Sequence, residues 1–175
     1  PVLYIDKITW KLKQIHIFSD NLKKEKLINF ENSKNQLFSI LKNYQLFNIL
    51  ESSLKKNKYF SRINPKREKN YYENYDIVIV TDYFDPIAKK YFNKKIIKKY
   101  NSFAYTTIIE HKNILNDIAT QIFTKDGPLA FLPVSNNKTS IVYSINNSTL
   151  LGSQKIKDLI HNYNFKYKIK KINKI

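Results

Sequence analysis

The stretch that decides the fold is FTKDGPLAFLPVSNNKTSIVYS, Phe123 to Ser144. It is the one place where a lysine-rich chain turns apolar, and it holds Gly127, one of only two glycines. Successive side chains of an extended strand point to opposite faces. Two short links, Lys125-Asp126-Gly127 and Asn136-Asn137, interrupt the run. Both are hairpin chemistry, because glycine and asparagine tolerate the positive φ of tight turns. The expectation is a meander of strands over 117–124, 127–135 and 138–146, with a further strand, 102–111, before it.

Outward from this core the period changes several times. KQIHIFSD (13–20) places Ile15 and Ile17 on one face, as a half-buried strand does. KLINFE (26–31) is placed to pair with it across a turn at 21–25, and NQLFSILK (35–42) is a third strand candidate. Leu46, Phe47, Ile49, Leu50 and Leu54 then recur at three- and four-residue spacing, an amphipathic helix with Asn43 as its cap. KYFSRI (58–63) reads as a short strand and 65–74 as a charged loop. YDIVIV (75–80) is apolar on both faces, as a central strand covered on both sides would be. Asp85-Pro86 is a helix-start signal, and Ser153 caps a last helix, QKIKDLIHNY. The fold class is α+β, a largely antiparallel sheet with a few packed helices, in a single domain over 1–175.

Composition narrows the function classes. The chain has 175 residues, enough to bury roughly two thirds of its unfolded surface. There is no cysteine, hence no disulfide and no thiolate metal site. No apolar run approaches the roughly 20 residues that cross a bilayer, so a soluble, cytoplasmic protein is expected. The start at Pro1 and the lack of methionine read as a piece of something longer. The formal charge is +17, yet 29 of 31 basic residues are lysine, with Arg62 and Arg67 the exceptions. Lysine, asparagine and isoleucine share A/T-rich codons, whereas base readout favours the forked guanidinium of arginine. No specific nucleic-acid partner is therefore expected.

Catalytic motifs are scarce. His16, His111 and His161 lie far apart without metal-ligand spacing, so surface or packing roles are expected and no metal site. With Gly127 and Gly152 alone the chain cannot build a phosphate-cradling loop. No nucleophile sits in a glycine elbow, and no residue is singled out as catalytic. Asp82 and Asp85 flank the end of the 75–80 segment, a place where ligands often sit, and Asp85 reads as the cap.

TQIFTKDGPLAFLPVSNNKTSIVYS resembles a signature of the FAD-dependent aromatic hydroxylases of ubiquinone biosynthesis. In that family a Gln-x-Phe strand leads to Gly-Pro-Leu-Ala-Phe-Leu-Pro-Leu, a turn, and a Ser-Ile-Val-Trp-Ser strand. Gln121, Phe123, the run Gly127 to Pro133, and Ser140 to Ser144 match, with Val134 for leucine and Tyr143 for tryptophan. More loosely, WKLKQIHIFSD resembles the family strand that ends in Ile-x-Val-Ser-Asp. QLFSILKNYQLFNILESSL resembles its strand and helix entering the nucleotide domain, and 43–92 would pack on that domain. YDIVIVTDYFDPIAKKYF lies where the family has an apolar strand and Gly-Ala-Asp-Gly-x-x-Ser-x-Val-Arg. Asp82 keeps the aspartate, the weak cofactor-binding candidate, whereas Val80 and Tyr83 replace the glycines, Pro86 the serine and Lys89 the arginine. The Gly-x-Gly-x-x-Gly and later Gly-Asp flavin motifs have no counterpart here.

The resemblance implies the middle, mostly substrate-binding, part of such a monooxygenase. Its sheet roofs the flavin and shapes an apolar pocket for a polyprenylated phenol or quinol. It assigns substrate contact to Gln121, Phe123, Leu129, Phe131, Pro133 and Tyr143, with FAD and NAD(P)H as cofactors of the full family and neither bound by this chain alone. Peripheral contact with the inner membrane face, or with other ubiquinone-biosynthesis proteins, stays open. So does a non-enzymatic relative that keeps the sheet as a quinol-binding or assembly module. A basic nucleic-acid binder is the remaining alternative.

Overall fold

The structure, a computed structural model, describes residues 5–20, 25–32, 36–63, 71–92, 94, 96, 98, 100–146 and 150–175. The fold is α+β. Among the described residues the strands and α-helices follow in order: β1 (Trp10–Leu12), β2 (Gln14–Ser19), β3 (Lys26–Glu31), β4 (Phe38–Ile40), α1 (Asn43–Lys55), α2 (Pro86–Tyr91), β5 (Phe103–His111), β6 (Ile118–Thr124), β7 (Gly127–Ser135), β8 (Lys138–Ile145), α3 (Ser153–Tyr163) and β9 (Ile169–Ile172). The sequence reads as one domain; its residues group into two compact units, 1–53 with 100–175, and 54–99.

The first unit contains a seven-stranded sheet of order β3-β2-β6-β7-β8-β5-β9 and a two-stranded ribbon, β1-β4. Only the β2–β6 pair in the larger sheet is parallel. Strands β5 to β8 form a Greek key, because β5 lies beside β8 rather than β6. The β5–β6 link that this requires passes the β7–β8 turn: His111 N donates to Asn137 O and Ile114 N to Asn136 O, both at 3.0 Å. Asn116, fully buried in that link, donates to Ser135 O at 2.8 Å and Thr139 Oγ1 at 3.0 Å, and accepts from Tyr167 Oη at 3.0 Å. His111 contacts Thr139 Oγ1 at 3.0 Å and Lys112 O at 2.8 Å. This buried network fastens the crossover, the packing role expected of His111.

The β6–β7 hairpin depends on Gly127. Its φ is 146°, outside the range side chains adopt readily, and a Cβ there would collide with the Ser144 carbonyl oxygen on β8. The β7–β8 hairpin forms where expected but by another route. Neither Asn136 nor Asn137 has positive φ; a register shift between Pro133 and Ser135 takes up the turn instead.

Helix α3 presents Ile156 and Ile160 to one face of the sheet, each worth roughly 1.5–3 kcal/mol when fully buried. They join Phe18, Ile109, Ile122, Leu129, Phe131, Ile141, Tyr143, Ile145 and Tyr167 in a single core. Ser153 is the first helical residue rather than the cap; Gly152 takes the cap position and makes no side-chain bond. Helix α1 begins at Asn43, which is its first helical residue rather than the cap, ends at Lys55, and buries none of its residues.

In the second unit, Asp85 Oδ1 accepts from Ile87 N at 2.8 Å and Pro86 opens α2, as the Asp-Pro signal predicts. The expected strands at 58–63 and 75–80 are absent, and 71–74 is a short 3₁₀ turn. Ile77 and Ile79 are 79% and 84% exposed. An apolar run becomes a central strand only where neighbours accept its hydrogen bonds, and no strand lies among the described residues of this unit. The expected loop at 65–70 and most of the turn at 21–25 fall outside the described residues.

Candidate substrate face

Register sorts the sheet into two unlike faces. On one, cross-strand neighbours run Phe18–Ile122–Leu129–Tyr143–Tyr105 and His16–Thr120–Phe131–Ile141–Thr107. On the other, a row runs Ile28–Ile17–Gln121–Ala130–Val142–Thr106 across six strands. Helix α3 covers the first face. Among the described residues the second is less closed: Ile17, Gln121, Ala130 and Val142 are half-buried and Ile28 and Thr106 exposed, whereas Ala119, on the same face of β6, is buried, and the β1–β4 ribbon lies against β7.

The six substrate candidates divide between these faces. Gln121 and Phe123 lie on the open one, Gln121 half-buried and Phe123 46% exposed. The Gln121 amide makes no hydrogen bond among the described residues. Leu129, Phe131, Pro133 and Tyr143 lie on the α3 face and are sealed, each exposed by 2% or less. The expectation that Phe131 and Tyr143 wall a cleft is therefore corrected. Tyr167 stacks on Phe131 with centroids 5.9 Å apart and planes at 20°, and the space beside them measures about 10 Å³, no more than one water needs. Burial pushes the Tyr167 hydroxyl up to about 12, so it remains a donor to Asn116 throughout the ordinary pH range.

Residues of the open face that sequence reasoning missed are Ala130, Leu132, Ser140 and Val142. The signal was present in the turn. A two-residue loop, Lys125-Asp126, pairs Thr124 with Gly127, and counting back pairs Phe123 with Pro128 and Gln121 with Ala130. The even-numbered residues of β7 share the face of Gln121. A one-residue slip exchanges the two faces entirely.

Asp82 is a turn residue. Its Oδ1 accepts from Phe84 N at 2.9 Å and its carbonyl from Asp85 N at 3.1 Å. Tyr83 and Phe84 stand edge to face at 5.3 Å and are exposed. A flavin pyrophosphate needs backbone amides at close approach, and no glycine lies between residues 54 and 99 to allow it. The residues present do not fit an FAD site. No cluster among the described residues could hold a metal ion, and none of their helices is long and apolar enough to cross a membrane.

The sequence matches no protein-family model and no curated protein.

Proposed function

We propose that this chain is the substrate-binding portion of an FAD-dependent monooxygenase that hydroxylates a polyprenylated phenol or quinol in ubiquinone biosynthesis. The observation that carries the reading is the open face: a free amide, Gln121, centred in an apolar row, on the hairpin where the seven-residue resemblance is strongest. A ring laid over Ala130 and Val142 brings its hydroxyl within reach of the Gln121 amide. Ile17 and Ile28 continue the apolar track for a prenyl tail. An aromatic substrate on such a surface gains from apolar contact, and the one polar group fixes its orientation. Leu129, Phe131, Pro133 and Tyr143 serve the reading as the core that holds the hairpin flat. FAD and NAD(P)H belong to residues other than these.

A second reading, a quinol-binding or assembly module without enzymatic activity, draws support from Tyr83 in the cofactor loop and from the engagement of Asp82 in its own turn. One titration series addresses both. A short-chain ubiquinone analogue is expected to bind saturably, and Gln121→Ala to weaken it about tenfold with an unchanged melting temperature. FAD titrated into the same sample is expected to keep the spectrum of free flavin. Analogue binding indifferent to Gln121 would sink the assignment of this face. A perturbed flavin spectrum would instead restore Asp82 as a cofactor contact.

A further inference from the structure

On the opposite side of the sheet from Gln121, the end of β2 meets the last turn of α3 around a cavity of about 220 Å³. That is far above the roughly 10–15 Å³ a single water requires. Phe18, Ile122, Tyr163 and Phe165 form its apolar walls, Ser19 and Asn162 complete the lining, and Asp20 stands at its edge. The rings of Phe18 and Phe165 are 5.1 Å apart with planes at 68°, so they meet as a corner that offers a ring face to a guest. Tyr163 Oη donates to Asp20 Oδ2 at 2.8 Å, and the other carboxylate oxygen has no partner among the described residues.

The charge at this spot runs against that of the molecule. The Tyr163 hydroxyl is pushed up to about 12 by burial first and then by Asp20, with Tyr143 and Asp126 adding to it. A carboxylate, Asp20, thus stands at the cavity in a chain with only 14 acidic residues against 31 basic ones. Two described lysines of this region have other partners. Lys166 Nζ lies 3.5 Å from Asn116 Oδ1 and 5.3 Å over the Tyr167 ring, and Lys26 Nζ lies 3.4 Å from His16 Nε2.

Aromatic faces carry negative charge density, and three rings beside a carboxylate attract a cation that can shed its water cheaply. A hard metal ion needs six or more oxygen ligands, which these walls do not supply. A protonated primary amine would leave donors unpaired against hydrocarbon. We infer that this cavity binds a small methylated-ammonium cation, its methyl groups against Phe18, Phe165 and Ile122 and its charge facing Tyr163 and Asp20. The site is independent of the function proposed for the Gln121 face.

The test titrates choline, and separately its neutral carbon isostere dimethylbutanol, into the full chain while the NMR signals of Phe18, Ile122, Tyr163 and Phe165 are followed. Choline is expected to give saturable shifts at these residues, with the isostere at least about fivefold weaker. Asp20→Asn is expected to lower choline affinity about tenfold, with a wild-type melting temperature because the carboxylate is exposed. Equal affinity for the isostere would make the cavity merely apolar and overturn the inference. So would indifference to Asp20→Asn, or the absence of saturation up to ~50 mM choline.

Discussion

Phe131 and Gln121 belong to one resemblance and adjacent strands, yet they are expected to answer mutation in opposite ways. Phe131 is 2% exposed, flanked in its row by Thr120 and Ile141 and stacked on Tyr167. Deleting a ring from so closed a site leaves a cavity, and Phe→Ala in a core costs about 3–5 kcal/mol. Total stabilities of about 5–15 kcal/mol make that a large loss. In urea, Phe131→Ala should move the unfolding midpoint sharply downward with its slope unchanged. A variant as stable as wild type would mean the ring faces a cleft after all. Gln121 has neither a buried bond to lose nor a ring to remove, so truncation there leaves stability nearly as it was. At Gly127 the turn itself demands glycine: any side chain at φ 146° would be strained and would strike the Ser144 carbonyl. The match at Asp82 has no such support, because the loop has lost the small residues that would let an anion approach.

At the level of elements, the sequence was most legible where period and turn agreed. The β2–β3 pair, the four strands β5 to β8, and helices α1 and α3 all lie within a residue or two of their expected spans. In each, a run of apolar residues, alternating or at three- and four-residue spacing in several of them, was bounded by turn or cap residues. The faces of the six candidate residues were only partly legible. Gln121 and Phe123 lie on one face and Leu129, Phe131, Pro133 and Tyr143 on the other, a parity across the hairpin that a resemblance does not carry. Segments whose fate depends on distant partners were illegible. YDIVIV has the composition of a central strand and no neighbour to complete it. Conversely, IKKI in the basic tail has little apolar signal but becomes β9, since it finds the free edge of β5. There Ile172 pairs with Ile109, Ile169 with His111, and Asn173 O accepts from Thr107 Oγ1 at 3.0 Å. Ile169, Ile172 and Ile175 pack on the core from this edge. Ending the chain after Tyr167 keeps the Phe131 stack but removes these contacts, at a cost on the order of 3 kcal/mol for three partly buried isoleucines. It also bares the Ile109–His111 end of the β5 edge, a template for pairing with another chain. The expected result is a lower melting temperature together with concentration-dependent association by size-exclusion chromatography. A truncated chain that melts as wild type and stays monomeric would show that β9 is merely attached.

On the scale of the whole molecule, the dominant quantity is a charge of +17, and it decides what the remaining alternative can mean. Surface ion pairs offset little of it. Lys11 with Asp6 and Lys138 with Glu110 both sit at 3.5 Å with substantial exposure, and pairs of this kind contribute about 0–1 kcal/mol. The excess is spread over lysines, each a hydrated point charge suited to phosphate and poor at reading base edges. In β9 and its flanks, Lys168, Lys170, Lys171 and Lys174 are all exposed, the densest cluster of the described chain. Such a surface attracts any polyanion by releasing its condensed counterions, a term that falls steeply with salt and is blind to sequence. The chain should therefore hold a short DNA duplex at about 50 mM salt and lose it by about 200 mM, where a handful of phosphate contacts forfeits several orders of magnitude. Two duplexes of unrelated sequence should be released at the same salt concentration in a fluorescence-anisotropy titration. The competing outcome is a complex that distinguishes the two and survives near 150 mM, where screening acts over about 8 Å. Lysine attraction alone cannot produce that, because it carries no base-edge information. Such a complex would favour the basic surface over the proposal made for the Gln121 face.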